Sequence, residues 1–120
     1  MKVFWDLKFH ADNENDAREG LSDFEKSTGL SVGNPNLVKY WKMPEYFEIR
    51  FETDGFSDTP EQAIEELQLI CDKIGNQWDS NSPMIYRDGQ VEWHSIIDSK
   101  SSSIFVERLA WAHCQFIPMK

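Results

Sequence analysis

Three histidines, His10, His94 and His113, and two cysteines, Cys71 and Cys114, are the side chains best suited to metal binding or nucleophilic chemistry. No pair of them has the local spacing of a zinc site, and the cysteines fit no metal or redox motif. The histidines could converge if their strands are neighbours, but His94 and His113 beside Trp93 and Trp111 read as ordinary cross-strand neighbours. Asp12, Glu14 and Asp16 alternate as at the start of a calcium loop. Yet Ala17 stands where such a loop needs glycine, Asp23 where it needs a bidentate Glu, and no helix precedes. They read instead as an acidic helix entry, favoured by the helix dipole. Ser101, Ser102 and Ser103 lie in a connection without a nucleophile elbow, and no glycine-rich phosphate loop exists. Glu65 and Glu66 point to different sides of one helix, which suits no shared proton chemistry. The sequence therefore assigns no catalytic residue, no metal site and no cofactor, and the chain is not expected to be an enzyme.

The elements that position these residues follow from periodicity. Val3, Trp5, Leu7 and Phe9 alternate with Lys2, Phe4, Asp6 and Lys8, which predicts a first strand. Ala17, Leu21 and Phe24 share one face of a helix that Gly29 ends, although Gly20 is unfavourable within it. Gly33-Asn34-Pro35-Asn36 predicts a turn. Strands are expected over Leu37–Met43 and Tyr46–Thr53, joined at Met43-Pro44-Glu45. The segment NQWDSNSP reads as a loop. Met84–Tyr86 and Val91–Ile97 flank Arg87-Asp88-Gly89-Gln90, whose Asp-Gly centre is a two-residue hairpin signal. The ending IFVERLAWAHCQFI fits either period; Phe105, Leu109, Ala112 and Phe116 suit a helix, whereas Leu109, Trp111, His113, Gln115 and Ile117 form one side of a strand, the reading adopted. The order is β-α-β-β-α-β-β-β. An α+β domain over residues 1–120, with an antiparallel sheet and two helices on one face, is the simplest architecture.

The second helix, DTPEQAIEELQLICDKIG from Asp58 to Gly75, carries the clearest signals. Thr59 suits the N-cap, Pro60 the first helical position and Gln62 the reciprocal capping position. Gly75 suits a left-handed C′ residue. Ala63, Leu67, Ile70 and Ile74 form its apolar face, widened by Ile64 and Cys71. Glu61, Glu65, Gln68 and Asp72 form an acidic stripe opposite. Leu69 projects away from the apolar face, beside Gln62 and Lys73.

Size permits one domain burying about two-thirds of its unfolded surface. Five Trp, eight Phe and three Tyr argue for a packed core. The N-terminus alternates from its first residues and does not read as a signal peptide, and no stretch approaches the length of a membrane span. Cys71 and Cys114 read as buried thiols in a reducing cytoplasm. The net charge is −9. Residues 45–72 hold nine acids against one base, and residues 6–25 seven against two. Such a field disfavours direct binding of nucleic acid, which needs a basic footprint. It complements a basic protein. Glu48, Glu52, Asp54, Asp58, Glu61, Glu65 and Asp72, with Phe56 and Leu69 as anchors and Tyr46 beside them, are contiguous enough in sequence to form one partner-binding surface.

In size, acidity, α+β make-up and the ending RLAWAHCQF, the whole chain resembles the small acidic immunity proteins of bacterial contact-dependent inhibition and related polymorphic toxin systems. The resemblance implies a cytoplasmic inhibitor that binds one cognate toxin domain, often a basic nuclease, and blocks its active site or substrate path. These proteins share no universal motif, so the surface above rests on charge alone. Two other classes remain compatible with the residues. One is an interaction domain, including a nucleic-acid mimic, with another basic partner. The other is a small hydrolase or ligand-binding domain using the histidines.

Overall fold

The computed structural model describes residues 1–33 and 35–117. Asn34, within the expected Gly33–Asn36 turn, lies outside the described residues. The elements are β1 (Val3–His10), α1 (Glu14–Thr28), β2 (Asn36–Lys39), β3 (Tyr46–Thr53), α2 (Pro60–Ile74), β4 (Asp79–Ser80), β5 (Met84–Ile85), β6 (Val91–Glu92), β7 (His94–Asp98) and β8 (Leu109–Phe116). Six strands make an antiparallel sheet in the order β2-β3-β1-β8-β7-β4, and β5 and β6 form a separate hairpin. The fold is α+β, with both helices on one face.

Alternation in β1 decides which face that is. Val3, Trp5, Leu7 and Phe9 are fully buried and meet Leu21 and Phe24 of α1 and Ala63, Leu67, Cys71 and Ile74 of α2 in one core. Phe47, Ile49, Phe51 and Thr53 of β3 are buried on the same side. Gly20 is explained by proximity: a Cβ there would stand 2.5 Å from Phe9 Cδ1, so only glycine lets α1 lie this close to β1.

Several local expectations are corrected. The strand expected over Leu37–Met43 ends at Lys39, because Tyr40–Tyr46 folds into successive turns in which Met43 N–H donates to Tyr40 O (3.2 Å) and Tyr46 N–H to Met43 O (2.9 Å). The strand expected over Val91–Ile97 divides at Trp93, whose flanks pair with different strands. Its hairpin with Met84–Ile85 is present, but the loop is Arg87-Asp88-Gly89, with Tyr86 N–H donating to Gln90 O and Gly89 in the left-handed region. A type I turn followed by a left-handed glycine makes a three-residue connection, one residue longer than Asp-Gly alone implies. Asp79–Ser80, within the expected loop, adds an edge strand beside β7. The ending is a strand only from Leu109 to Phe116, since Val106–Leu109 forms a turn (Leu109 N–H donates to Val106 O, 3.2 Å); within it Leu109 pairs with Phe9 while Trp111 pairs with Lys8. Ala110 is therefore a bulge residue that puts Leu109 in the core and Trp111 on the opposite face.

The ends of α2 also differ from expectation. Thr59 occupies the N-cap, but its hydroxyl makes no capping bond. Ser57 takes over: its Oγ accepts from Thr59 N–H (3.2 Å) and lies 3.3 Å from Gln62 Oε1, while its N–H donates to Glu66 Oε1 (2.8 Å). Both Gln62 and Glu66 thus reach back to Ser57, and the shorter bond is the one to the charged acceptor. Gly75 is extended (φ 178°), not left-handed, and Trp78 Nε1 closes the helix by donating to Cys71 O (2.9 Å) and Gly75 O (3.2 Å). Glycine is needed there because a Cβ would collide with Ser103 O and with Ile97 Cδ1 (2.6 Å).

The two explanations of Gly75 predict different mutants. A left-handed site tolerates Asn, whereas a steric site rejects any side chain. Gly75→Ala and Gly75→Asn should each destabilise the protein by about 1–3 kcal/mol, the ordinary cost of overpacking against backbone. Urea titration measures this, and an Asn variant as stable as wild type would refute the steric account.

Candidate functional site

The exposed face of α2 is built by helical geometry alone. Its opposite side buries Ala63, Ile64, Leu67, Cys71 and Ile74, with Ile70 half-buried, a slight rotation towards Ile64 and Cys71 relative to the sequence reading. Glu61, Glu65, Gln68 and Asp72 are consequently exposed, and Leu69 among them is 59% exposed. No salt bridge within the chain engages Glu61, Glu65 or Asp72 among the described residues. Lys73 is the one basic residue of this helix.

Not all residues expected on this surface are brought to it. Phe56 is only 8% exposed and packs edge-to-face on Phe116 (centroids 6.5 Å), so it belongs to the core and is no anchor. Its aromatic type in an acidic loop is compatible with either place, and the 53–58 connection turns it inward. Glu48 and Glu52 alternate with the buried residues of β3 and therefore lie on the helix-free face of the sheet, opposite α2. Asp54 and Asp58 are exposed in the connection between β3 and α2. Contiguity in sequence thus corresponds to two faces joined by a loop, not to one patch.

The helix-free face carries an arrangement that the sequence reading passed over. Lys8 is flanked across the sheet by Glu48 and Trp111. Its Nζ stands 3.5 Å from the Trp111 ring centroid, 4.8 Å from that of Tyr40, 3.5 Å from Glu48 Oε2 and 3.9 Å from Asp6 Oδ2. Arg50 adds ion pairs to Asp6 (3.5 Å) and Glu48 (3.4 Å). Glu48 is therefore engaged within the chain. Asp6 is buried and its Oδ1 has no hydrogen-bond partner among the described residues. Burial pushes the Asp6 carboxyl above its ordinary 3.8; Lys8 and Arg50 oppose this and Glu48 adds to it. Beside Lys8 runs a groove of about 280 Å³ walled by Tyr40, Met43, Tyr46 and Trp111. Alternation of Lys8 with core residues was the available signal, but only the bulge at Ala110 delivers Trp111 to it.

His94 and His113 do meet, on β7 and β8, with ring centroids 6.2 Å apart, and Trp111 lies 6.1 Å from His113. His10 is at the far end of β1, edge-on to Tyr46. Among the described residues no group of three or more His, Cys, Asp or Glu is placed to hold a metal. Asp12, Glu14 and Asp16 surround a helix start: Asn13 Oδ1 accepts from Asp16 N–H (2.9 Å), the N-cap bond. Among the described residues no helix is long and apolar enough to cross a membrane.

Burial lowers the pKa of His113 from its ordinary 6.5, and His94 and Lys8 lower it further. The folded protein therefore holds fewer protons on this ring than the unfolded chain does. The stability that neutral His113 contributes is complete above about pH 6.5 and is lost as pH falls towards the folded value. In a ring-proton NMR titration His113 should titrate below 6.5, and His94→Gln should raise its midpoint only part of the way, since burial remains. A midpoint at or above 6.5 in the wild-type protein would contradict this.

No protein-family model matches the chain, and neither the curated proteins nor the solved structures contain a match to it.

Proposed function

We propose that this chain is a binding domain that neutralises a basic protein partner, in the manner of a toxin immunity protein, and that the exposed face of α2 is its principal contact. The observation that carries this reading is Leu69, 59% exposed beside Glu61, Glu65 and Asp72, none of which has a cation partner among the described residues. An apolar anchor flanked by carboxylates suits a partner that presents Lys or Arg beside a small apolar hollow. The carboxylates would steer encounter and the leucine would hold the complex. Asp54 and Asp58 extend the field along the preceding loop. The resemblance to immunity proteins supplies the partner's class: a toxin domain, often a nuclease, blocked by direct contact.

The test begins with affinity capture on the wild-type chain and purification of the captured domain. That domain should be basic, should arrest growth when expressed alone, and should be silenced by co-expression of this chain. Glu61→Lys and Glu65→Lys should slow association and flatten its dependence on salt. Leu69→Ala should speed dissociation by about tenfold, the effect of losing a central anchor. Thermal melts should show all three variants within about 0.5 kcal/mol of wild type, as befits exposed positions. Unchanged kinetics in all three would place the contact elsewhere, and an acidic or harmless captured protein would sink the functional reading itself.

A further inference from the structure

The thiols of Cys71 and Cys114 are 43 residues apart in sequence, yet their Sγ atoms lie 3.7 Å from one another where α2 packs on β8. Both residues are buried. A disulfide requires the sulfurs at about 2.05 Å, so less than about 2 Å of approach separates this contact from a bond. Cys71 is not sealed off, because it lines a surface cavity of about 410 Å³ together with Gln68, Asp72, Trp78, Ser80 and Trp93. The polar part of that lining admits a small polar oxidant. Cys114 is fully buried and does not line the cavity.

We infer that Cys71 and Cys114 are a redox-modification site, at which a peroxide entering the cavity converts the two thiols into an intramolecular disulfide between α2 and β8. The Cys71 thiolate attacks one oxygen of hydrogen peroxide. The S–O bond forms, the O–O bond breaks, and the departing hydroxide leaves as water with the proton released by the thiol. Cys114 sulfur then attacks the Cys71 sulfenic sulfur. The S–S bond forms, the S–O bond breaks, and the second water carries away the Cys114 proton. Two thiols lose two electrons and one peroxide becomes two waters. Contact between the sulfurs gives this second step a high effective concentration over further oxidation of Cys71.

Burial, with the adjacent Cys71 thiol, raises the Cys114 pKa well above its ordinary value. The resolving step is therefore slow at neutral pH and should accelerate about tenfold per pH unit, as thiolate becomes available. The bond closes a long loop and restrains the unfolded chain. Leu69 lies on the other side of α2 from Cys71, whereas Gln68 and Asp72 of the acidic stripe stand at the mouth of the cavity, so the thiol site and the interface proposed above share that edge of the helix.

The experiment exposes the fully reduced chain to hydrogen peroxide at pH 7 and pH 8.5, quenches with an alkylating reagent, and reads intact mass. The expected product has lost two hydrogens, accepts no alkyl group, stays monomeric on a non-reducing gel, and reverts with dithiothreitol. It should melt at least about 5 °C higher than the reduced form. Cys114→Ser should instead accumulate oxygen on Cys71, and Cys71→Ser should resist peroxide. The wild-type masses decide the matter even if a serine variant fails to fold. Thiols that both remain alkylatable, oxygen addition without loss of hydrogens, or covalent dimers would each overturn the assignment.

Discussion

The indole of Trp5 sets the constraint to which the rest of the fold conforms. It is fully buried in the central strand β1, so its N–H needs a partner out of reach of water, and Thr53 Oγ1 on β3 accepts it at 2.9 Å. The ring stacks on Phe51 (6.2 Å) and meets the edge of Phe24 (5.7 Å), which itself lies edge-on to Phe51. One side chain thus fixes the β1–β3 register and the height of α1 above the sheet. An unpaired buried donor costs about 1–3 kcal/mol, and a slip of one residue would move every core side chain of β1 to the wrong face. Gly20 over Phe9 and Cys71 over Cys114 are consequences of the same close approach of helices to sheet.

With one face of the sheet committed to the core, the other must carry whatever alternates with it. Hence Asp6, Lys8, Glu48, Arg50, Trp111 and His113 converge where no helix covers them. Lys8 works there as an internal counter-ion, held by carboxylates on one side and an aromatic face on the other. The cluster is an internal network, with Glu48 and one oxygen of Asp6 paired to Lys8 and Arg50. The α2 stripe is different in kind, because Glu61, Glu65 and Asp72 meet no cation among the described residues. That difference, more than the count of acids on either face, is what separates a structural charge cluster from a surface waiting for a partner.

The sequence conveyed the strands β1 and β3, both helices and the α+β class, because these elements depend on local periodicity carried by many residues at once. It misplaced features that depend on a single tertiary contact. Gly75 looked like a left-handed cap, but its conformation follows from Ser103 and Ile97, which are distant in the chain. Phe56 looked like an exposed anchor because its neighbours are charged, and only Phe116 reveals its true place. Glu48 and Glu52 joined the α2 stripe on grounds of contiguity, although the alternation already visible in β3 requires them on the far face. Leu69 was legible for the opposite reason: helical phase alone places it outside, and nothing tertiary covers it.

The acidity of α2 then needs an energetic account, since like charges at Glu61 and Glu65 disfavour a helix by a few tenths of a kcal/mol. That cost is small beside what holds the helix in place. Five buried side chains on the inner face each contribute on the order of 1–3 kcal/mol by removal from water, less for Ala63. Pro60 at the start and the Trp78 indole on the last carbonyls stabilise both ends. Packing therefore determines whether α2 forms, and the outer face is free of structural demand. A surface released from folding in this way can concentrate one sign of charge around one leucine at little cost to stability, which is the condition a steered, anchored contact with a basic protein requires.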